Sequence, residues 1–238
     1  METITFESLP LPEEVMQGIR DAGFTQCTPI QAKTLPHALE GKDVAGQAQT
    51  GTGKTAAFLI AMFTKLLRTT PPEPKHKEWR APRALIIAPT RELAIQIERD
   101  AIVLGKHTGL HTVCIYGGGD YDKQIEEIKE GLDVLIVTPG RLIDFYKQKI
   151  FSLKAVEVLV IDEADRMFDM GFIKDLRYIL RNTSSYDKRQ SMLFSATLNF
   201  RVMELCYEHM NDPVPVRIEP EKLVVDEVDQ TLYHVGSH

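Results

Sequence analysis

The chain has 238 residues, 43% of them hydrophobic, and its 28 Lys and Arg stand against 34 Asp and Glu for a formal net charge of −6. That length admits one large α/β domain or two small ones, with enough apolar material for a core that needs neither disulfides nor metals. The acidic balance argues against indiscriminate adhesion to nucleic acid or anionic membrane, so any nucleic-acid site must be local, built from a few Arg, backbone amides and helix ends.

The opening METITFESLP has neither the basic nor the apolar region of a targeting peptide. Thr28 followed by Pro29 reads as an N-cap with proline at the first helical position, so a helix is expected over 29–39. From there short β-branched runs alternate with longer helical patterns. Strands are expected at 43–46, 84–88, 112–116, 134–137, 156–161, 192–195 and 214–218. Helices are expected at 54–67, 92–106, 121–130, 142–147, 173–181 and 200–209. The runs LIIA, VLIV and VEVLVI are apolar on both faces, as strands covered by helices on each side must be. Strand and helix repeated in this way imply a mostly parallel, doubly wound α/β sheet. The stretch 69–82, rich in Pro and charge, is expected to be a surface loop whose Trp79 either stacks on nucleic acid or packs against the domain edge. The tail 219–238 is acidic and then apolar at TLYHV, and reads as a linker towards a further strand. Cys27, Cys114 and Cys206 have no paired spacing and are expected to be reduced thiols. The most apolar stretch, 56–63, is too short to span a bilayer, and a cytoplasmic protein is expected.

Two constellations carry chemistry. Ala48-Gln49-Thr50-Gly51-Thr52-Gly53-Lys54-Thr55 lies between an expected strand and an expected helix, the context of a phosphate-binding loop. Its glycines let backbone N–H groups turn inward around phosphates, and the helix start adds partial positive charge. Lys54 can reach the terminal phosphates and the Thr55 hydroxyl can ligate Mg²⁺. Ala48 stands where the general pattern has Gly. The second constellation is Asp162-Glu163-Ala164-Asp165, which ends the apolar run Val158–Ile161. In an open parallel sheet, ligands sit beyond the carboxyl ends of the strands. Asp162 is placed there to hold Mg²⁺, partly through water, and Glu163 to orient and deprotonate an attacking water. A helix-capping acidic turn explains any one of these carboxylates, but not their coincidence with a phosphate loop.

On these residues the chain resembles the first RecA-like domain of the DEAD-box RNA helicases over residues 6–210. The resemblance implies one domain over 1–218, RNA-stimulated ATP hydrolysis with Mg²⁺, and local unwinding of RNA duplexes. It makes the stretch 23–31 an adenine-reading motif, in which Phe6 stacks on the base, Phe24 lies beside it and Gln31 pairs with it. A Gln amide offers one donor and one acceptor, which suits adenine and not guanine. Ser195-Ala196-Thr197 resembles the motif that, with Asp165, couples the ATP site to strand separation. Pro89-Thr90-Arg91, Gly117-Gly118 and Thr138-Pro139-Gly140-Arg141 resemble the RNA-facing motifs, although each alone would pass as a capped helix start. Contacts of that kind reach the RNA backbone without reading sequence, the 2′-hydroxyls favouring RNA over DNA. The stretches GRLIDFYKQ, DEADRMFDMGFIKDLRYILR and MLFSATLNFRVMELCYEHMN most resemble the branch of the family that works in the bacterial RNA degradosome, with an endoribonuclease and a polynucleotide phosphorylase. Contact with the endoribonuclease is expected in a second domain absent from this chain. No arginine cluster of the HRxGR type follows Thr197, so the arginine that stabilises the transferring phosphoryl group is also expected from that domain. The chain alone is therefore expected to be a nearly inactive monomer. The other functional class in contention is a non-catalytic, ATP-dependent RNA clamp or scaffold.

Overall fold

The computed structural model describes residues 4–71 and 81–218. Trp79 and the tail 219–238 lie outside the described residues. Seven strands, β1 (Val44–Gln47), β2 (Ala84–Ile87), β3 (Thr112–Ile115), β4 (Val134–Val137), β5 (Val158–Ile161), β6 (Gln190–Ser195) and β7 (Val214–Arg217), form one sheet in the order β3-β4-β2-β5-β6-β1-β7. Every pairing is parallel. The helices are α1 (Glu13–Asp21), α2 (Pro29–Leu39), α3 (Lys54–Arg68), α4 (Arg91–Leu104), α5 (Tyr121–Glu130), α6 (Pro139–Lys147), α7 (Ala164–Asp169), α8 (Ile173–Asn182) and α9 (Phe200–His209), after a 3-10 turn at Phe6–Ser8.

Side chains alternate across a strand, so the central strands feed two cores. Ala84, Ile86, Val158 and Val160 pack with α1 to α4, while Leu85, Ile87, Leu159 and Ile161 pack with α5 to α9. This sandwich is the reason the strands read as unbroken apolar runs. Among the described residues, no helix is long and apolar enough to cross a membrane.

The register brings Ile87, Ile161 and Val137 level, and sets Gln47 opposite Ser195. The loops leaving these strands therefore share one edge of the sheet. They include the phosphate loop, the acidic motif and all three RNA-facing motifs.

Expected and observed elements agree except at short ones. Helix α1 is an addition: Val15, Met16 and Ile19 form its buried stripe, and Gly18 in its interior weakens the helical signal. That glycine is required where α1 crosses α4, because a Cβ there would lie 2.1 Å from the Leu104 carbonyl oxygen. Helix α7 is only 6 residues long and begins inside the acidic motif. Helix α6 starts at Pro139 rather than 142, with proline in its first turn.

Candidate functional site

The phosphate loop connects β1 to α3. Its entry is fixed by the Ala48 N–H, which donates to the Ser195 carbonyl on β6 at 2.9 Å. Gly51 and Gly53 adopt φ of 82° and 90°, conformations that a side chain would strain. Gln49, Thr50 and Gly51 are exposed, and the Thr52 hydroxyl donates to the Gln49 carbonyl at 2.8 Å. Lys54 at the head of α3 is only 3% exposed. Its Nζ lies 2.6 Å from Asp162 Oδ1 and 3.8 Å from Glu163 Oε1, joining positions 108 residues apart in sequence.

Asp162 leaves β5 fully buried. Its Oδ1 accepts from Lys54 and from the Glu163 N–H at 2.9 Å, whereas its Oδ2 has no hydrogen-bond partner. Burial pushes the Asp162 carboxyl above its ordinary range, and Lys54 only partly opposes the shift. The buried, unpartnered oxygen of Asp162 and the hydroxyl of the half-buried Thr55, which follows Lys54 in sequence, are donors of the kind a hard divalent cation takes together with phosphate and water.

Glu163 sits in the left-handed region at φ 52°, an unusual conformation for a non-glycine residue, and caps α7. Its Oε1 accepts from the Thr50 hydroxyl at 3.2 Å, and its Oε2 pairs with Arg166 at 3.2 Å. Asp165 turns the other way. Its N–H donates to Ser195 Oγ at 3.1 Å, and its Oδ2 accepts from the Thr197 N–H at 3.1 Å and hydroxyl at 3.3 Å. The acidic motif thus has one end in the crevice and the other tied to the end of β6.

One expectation for the base site needs correction. Phe6 is 1% exposed and belongs to the core, so its ring is covered and offers no stacking face. It packs against Phe24 with centroids 6.4 Å apart, and Phe24, 41% exposed, is the ring that faces outward. Gln31 is buried and its amide is already engaged. Oε1 accepts from the Thr28 N–H at 2.8 Å, closing a capping box, and Nε2 donates to the Gly53 carbonyl at 3.0 Å. Gln31 here fastens α2 to the phosphate loop, and each of its amide atoms keeps one further hydrogen-bonding position.

The remaining motifs form a rim over the ends of β2, β3 and β4. Thr90 caps α4, its hydroxyl accepting from the Leu93 N–H at 3.3 Å. Arg91 is exposed, with its guanidinium 4.7 Å above the Tyr116 ring. Gly117 and Gly140 have open space where a Cβ would stand, and Gly118 has φ of 79°. Thr138 caps α6 with its hydroxyl uncommitted to the helix. Arg141 lies 5.1 and 5.2 Å from the Tyr121 and Phe145 rings. Pro89 is the exception: it is buried, so it shapes the entry to α4 instead of presenting a contact surface. Sequence reasoning missed three participants. Arg166 carried a readable signal in its i,i+3 spacing from Glu163, whereas Tyr116 and Gln124 carried none.

Known proteins resemble this chain in sequence and in fold. The sequence profile described as DEAD/DEAH box helicase matches residues 28–205. The chain is 55% identical over 231 residues to an ATP-dependent RNA helicase RhlB of Xanthomonas oryzae pv. oryzae, covering 97% of this chain and 40% of that protein. It is 53% identical over 229 residues to an ATP-dependent RNA helicase RhlB of Shewanella sp. strain MR-4, covering 96% of this chain and 52% of that one. Among solved structures, a DEAD box protein from the hyperthermophile Methanococcus jannaschii superposes with a TM-score of 0.80 at 33% identity, over 92% of this chain and 57% of the other. The chain therefore spans about half the length of the curated relatives it matches.

Proposed function

The chain belongs to the DEAD/DEAH-box helicase family, and on that premise we propose that it is the ATP-binding half of an RNA-stimulated ATPase that opens short RNA duplexes. One observation carries the reading most directly: Lys54 from the head of α3 meets Asp162 and Glu163 from the end of β5. Lys54 supplies the positive charge for the terminal phosphates, and on taking up that role it leaves Asp162. Asp162, with Thr55, holds Mg²⁺, which when bound neutralises phosphate charge. Glu163 orients the attacking water and accepts its proton, with Thr50 and Arg166 holding its two carboxylate oxygens. Asp165 relays the state of the crevice to Ser195 and Thr197. Adenine is received beside Phe24 and Gln31.

RNA lies along the rim of Thr90, Arg91, Gly117, Gly118, Thr138, Gly140 and Arg141, which offers helix N-termini, bare backbone and two guanidinium groups. None of these groups reads base edges, so binding is independent of sequence. A second domain of the same protein supplies the arginine for the transferring phosphoryl group, and the likeness to RhlB relatives supports a setting in RNA turnover. Glu163 favours an enzyme over a clamp, since a clamp has no use for a base beside the phosphates. ATP hydrolysis by the complete protein, followed with single-stranded RNA, with DNA and with neither, tests the reading. Stimulation by RNA alone supports it; equal stimulation by DNA, or none by either, sinks it. The 238-residue chain by itself is expected to bind ATP weakly and turn it over barely.

A further inference from the structure

Behind the rim lies a side chain with no part in the assignments above. Gln124, on the first turn of α5, is 6% exposed and touches two of the elements that carry the rim, the loop after β3 and α6. Its Oε1 accepts from the Tyr116 N–H at 3.1 Å and from Arg141 Nη1 at 3.1 Å, and its Nε2 donates to the Tyr116 carbonyl at 3.4 Å. The amide thus continues the backbone pairing of β3 one residue past its last strand position, where no neighbouring strand is available. The same oxygen fixes one prong of the Arg141 guanidinium, which the Tyr121 and Phe145 rings flank. Tyr116 in turn lies beneath Arg91.

A second observation marks the same contact. A Cβ added to Gly119 would stand 2.4 Å from Gln124 Nε2 and 3.0 Å from the Tyr116 ring. Gly119 has no positive φ to explain it, so the glycine is needed for space: its bare backbone passes over the Gln124 amide.

We propose that Gln124 is a positioning residue for RNA binding, which sets the glycine loop 117–119 and Arg141 in one register and, through Tyr116, includes Arg91. The proposal rests on the rim being the RNA surface. Its mechanism is preorganisation: Arg has a long, rotamer-rich side chain, and fixing it before contact removes part of the ordering cost from binding. The expected consequence of losing Gln124 is a weaker complex with one fewer effective phosphate contact.

The experiment measures affinity of the complete protein for a single-stranded oligouridylate across a salt series, with a non-hydrolysable ATP analogue bound. Gln124→Met keeps the length of the side chain and removes its hydrogen bonds. It is expected to weaken binding about tenfold and to lower the slope of log K against log salt by about one, as Arg141→Ala does. Gly119→Ala, which crowds the amide while leaving Gln124 itself unchanged, should reproduce the effect and serves if Gln124→Met does not fold. Gln124→Glu retains the acceptor for Arg141 and the Tyr116 N–H, and should restore most of the slope. Combined with Arg141→Ala, Gln124→Met should add less than it does alone, because part of its effect runs through Arg141. A lower melting temperature with unchanged affinity and slope, or full additivity with Arg141→Ala, would overturn the proposal while leaving the rim in place. If neither Arg91→Ala nor Arg141→Ala alters RNA affinity, the rim reading itself fails and the proposal falls with it.

Discussion

The nucleotide crevice and the RNA rim occupy one edge of one sheet but are prepared for their ligands in opposite ways. In the crevice the binding groups are bound to each other: Lys54 to Asp162, Gln31 to Gly53, Thr50 and Arg166 to Glu163. On the rim they are held but open, with Arg91 and Arg141 over aromatic rings and the glycines facing free space. A ligand entering the crevice must exchange partners with buried charges, so it necessarily rearranges the protein. A backbone phosphate reaching the rim meets groups already in place. The contrast suits a machine in which ATP is the event that changes state and RNA is the track.

Substitutions can break or sharpen that contrast. The largest effect is expected from Glu163→Gln, which should lower turnover of the complete protein by about 10²–10⁴-fold while ATP affinity persists; turnover close to wild type would remove Glu163 from the role of base. Next, Lys54→Ala leaves Asp162 buried without its cation and should cost about 3–5 kcal/mol of stability in calorimetry near neutral pH. Arg141→Ala on the rim should cost less than about 1 kcal/mol. Equal losses at the two sites would erase the distinction between a closed crevice and an open rim.

Acidity offers a subtler probe. Burial raises the Asp162 pKa above its ordinary value of 3.8, so between that value and the raised one the folded state holds a proton that the unfolded chain has released. The stability contributed by this group is therefore greatest below that value and is lost as pH rises through the raised one. Mg²⁺ needs the ionised form, so affinity for Mg²⁺-ATP should rise over the same window, and Asp162→Asn should flatten both profiles. Smallest is Gln31→Ala, expected to reduce the preference for ATP over GTP about fivefold in a competition titration. An unchanged ratio would leave Gln31 only its structural bonds to Thr28 and Gly53.

What the sequence made legible was whatever depends on local pattern. The seven strands, seven of the helices and the meeting of Lys54 with the acidic motif followed from apolar runs, capping residues and loop composition. Helix α1 escaped because Gly18 interrupts a 9-residue pattern, and α7 because its first turn is the acidic motif itself. The states of the site residues were not legible. That Phe6 is covered, that Gln31 faces the phosphate loop and that Pro89 is buried are consequences of packing between segments distant in the chain. Gln124 is the clearest instance: an amide on a polar helix face gives no sign that it closes the end of β3.

The central claim is that phosphates, a divalent ion and the acidic motif share one crevice beyond the ends of β1 and β5. Crystals of the chain grown with a non-hydrolysable ATP analogue and Mn²⁺ test it through the anomalous signal of the ion. The expected result is a single strong peak between Thr55 and Asp162, with Lys54 Nζ moved from the carboxylate onto a phosphate. Manganese bound elsewhere, or Lys54 still paired to Asp162 with nucleotide in place, would contradict the account.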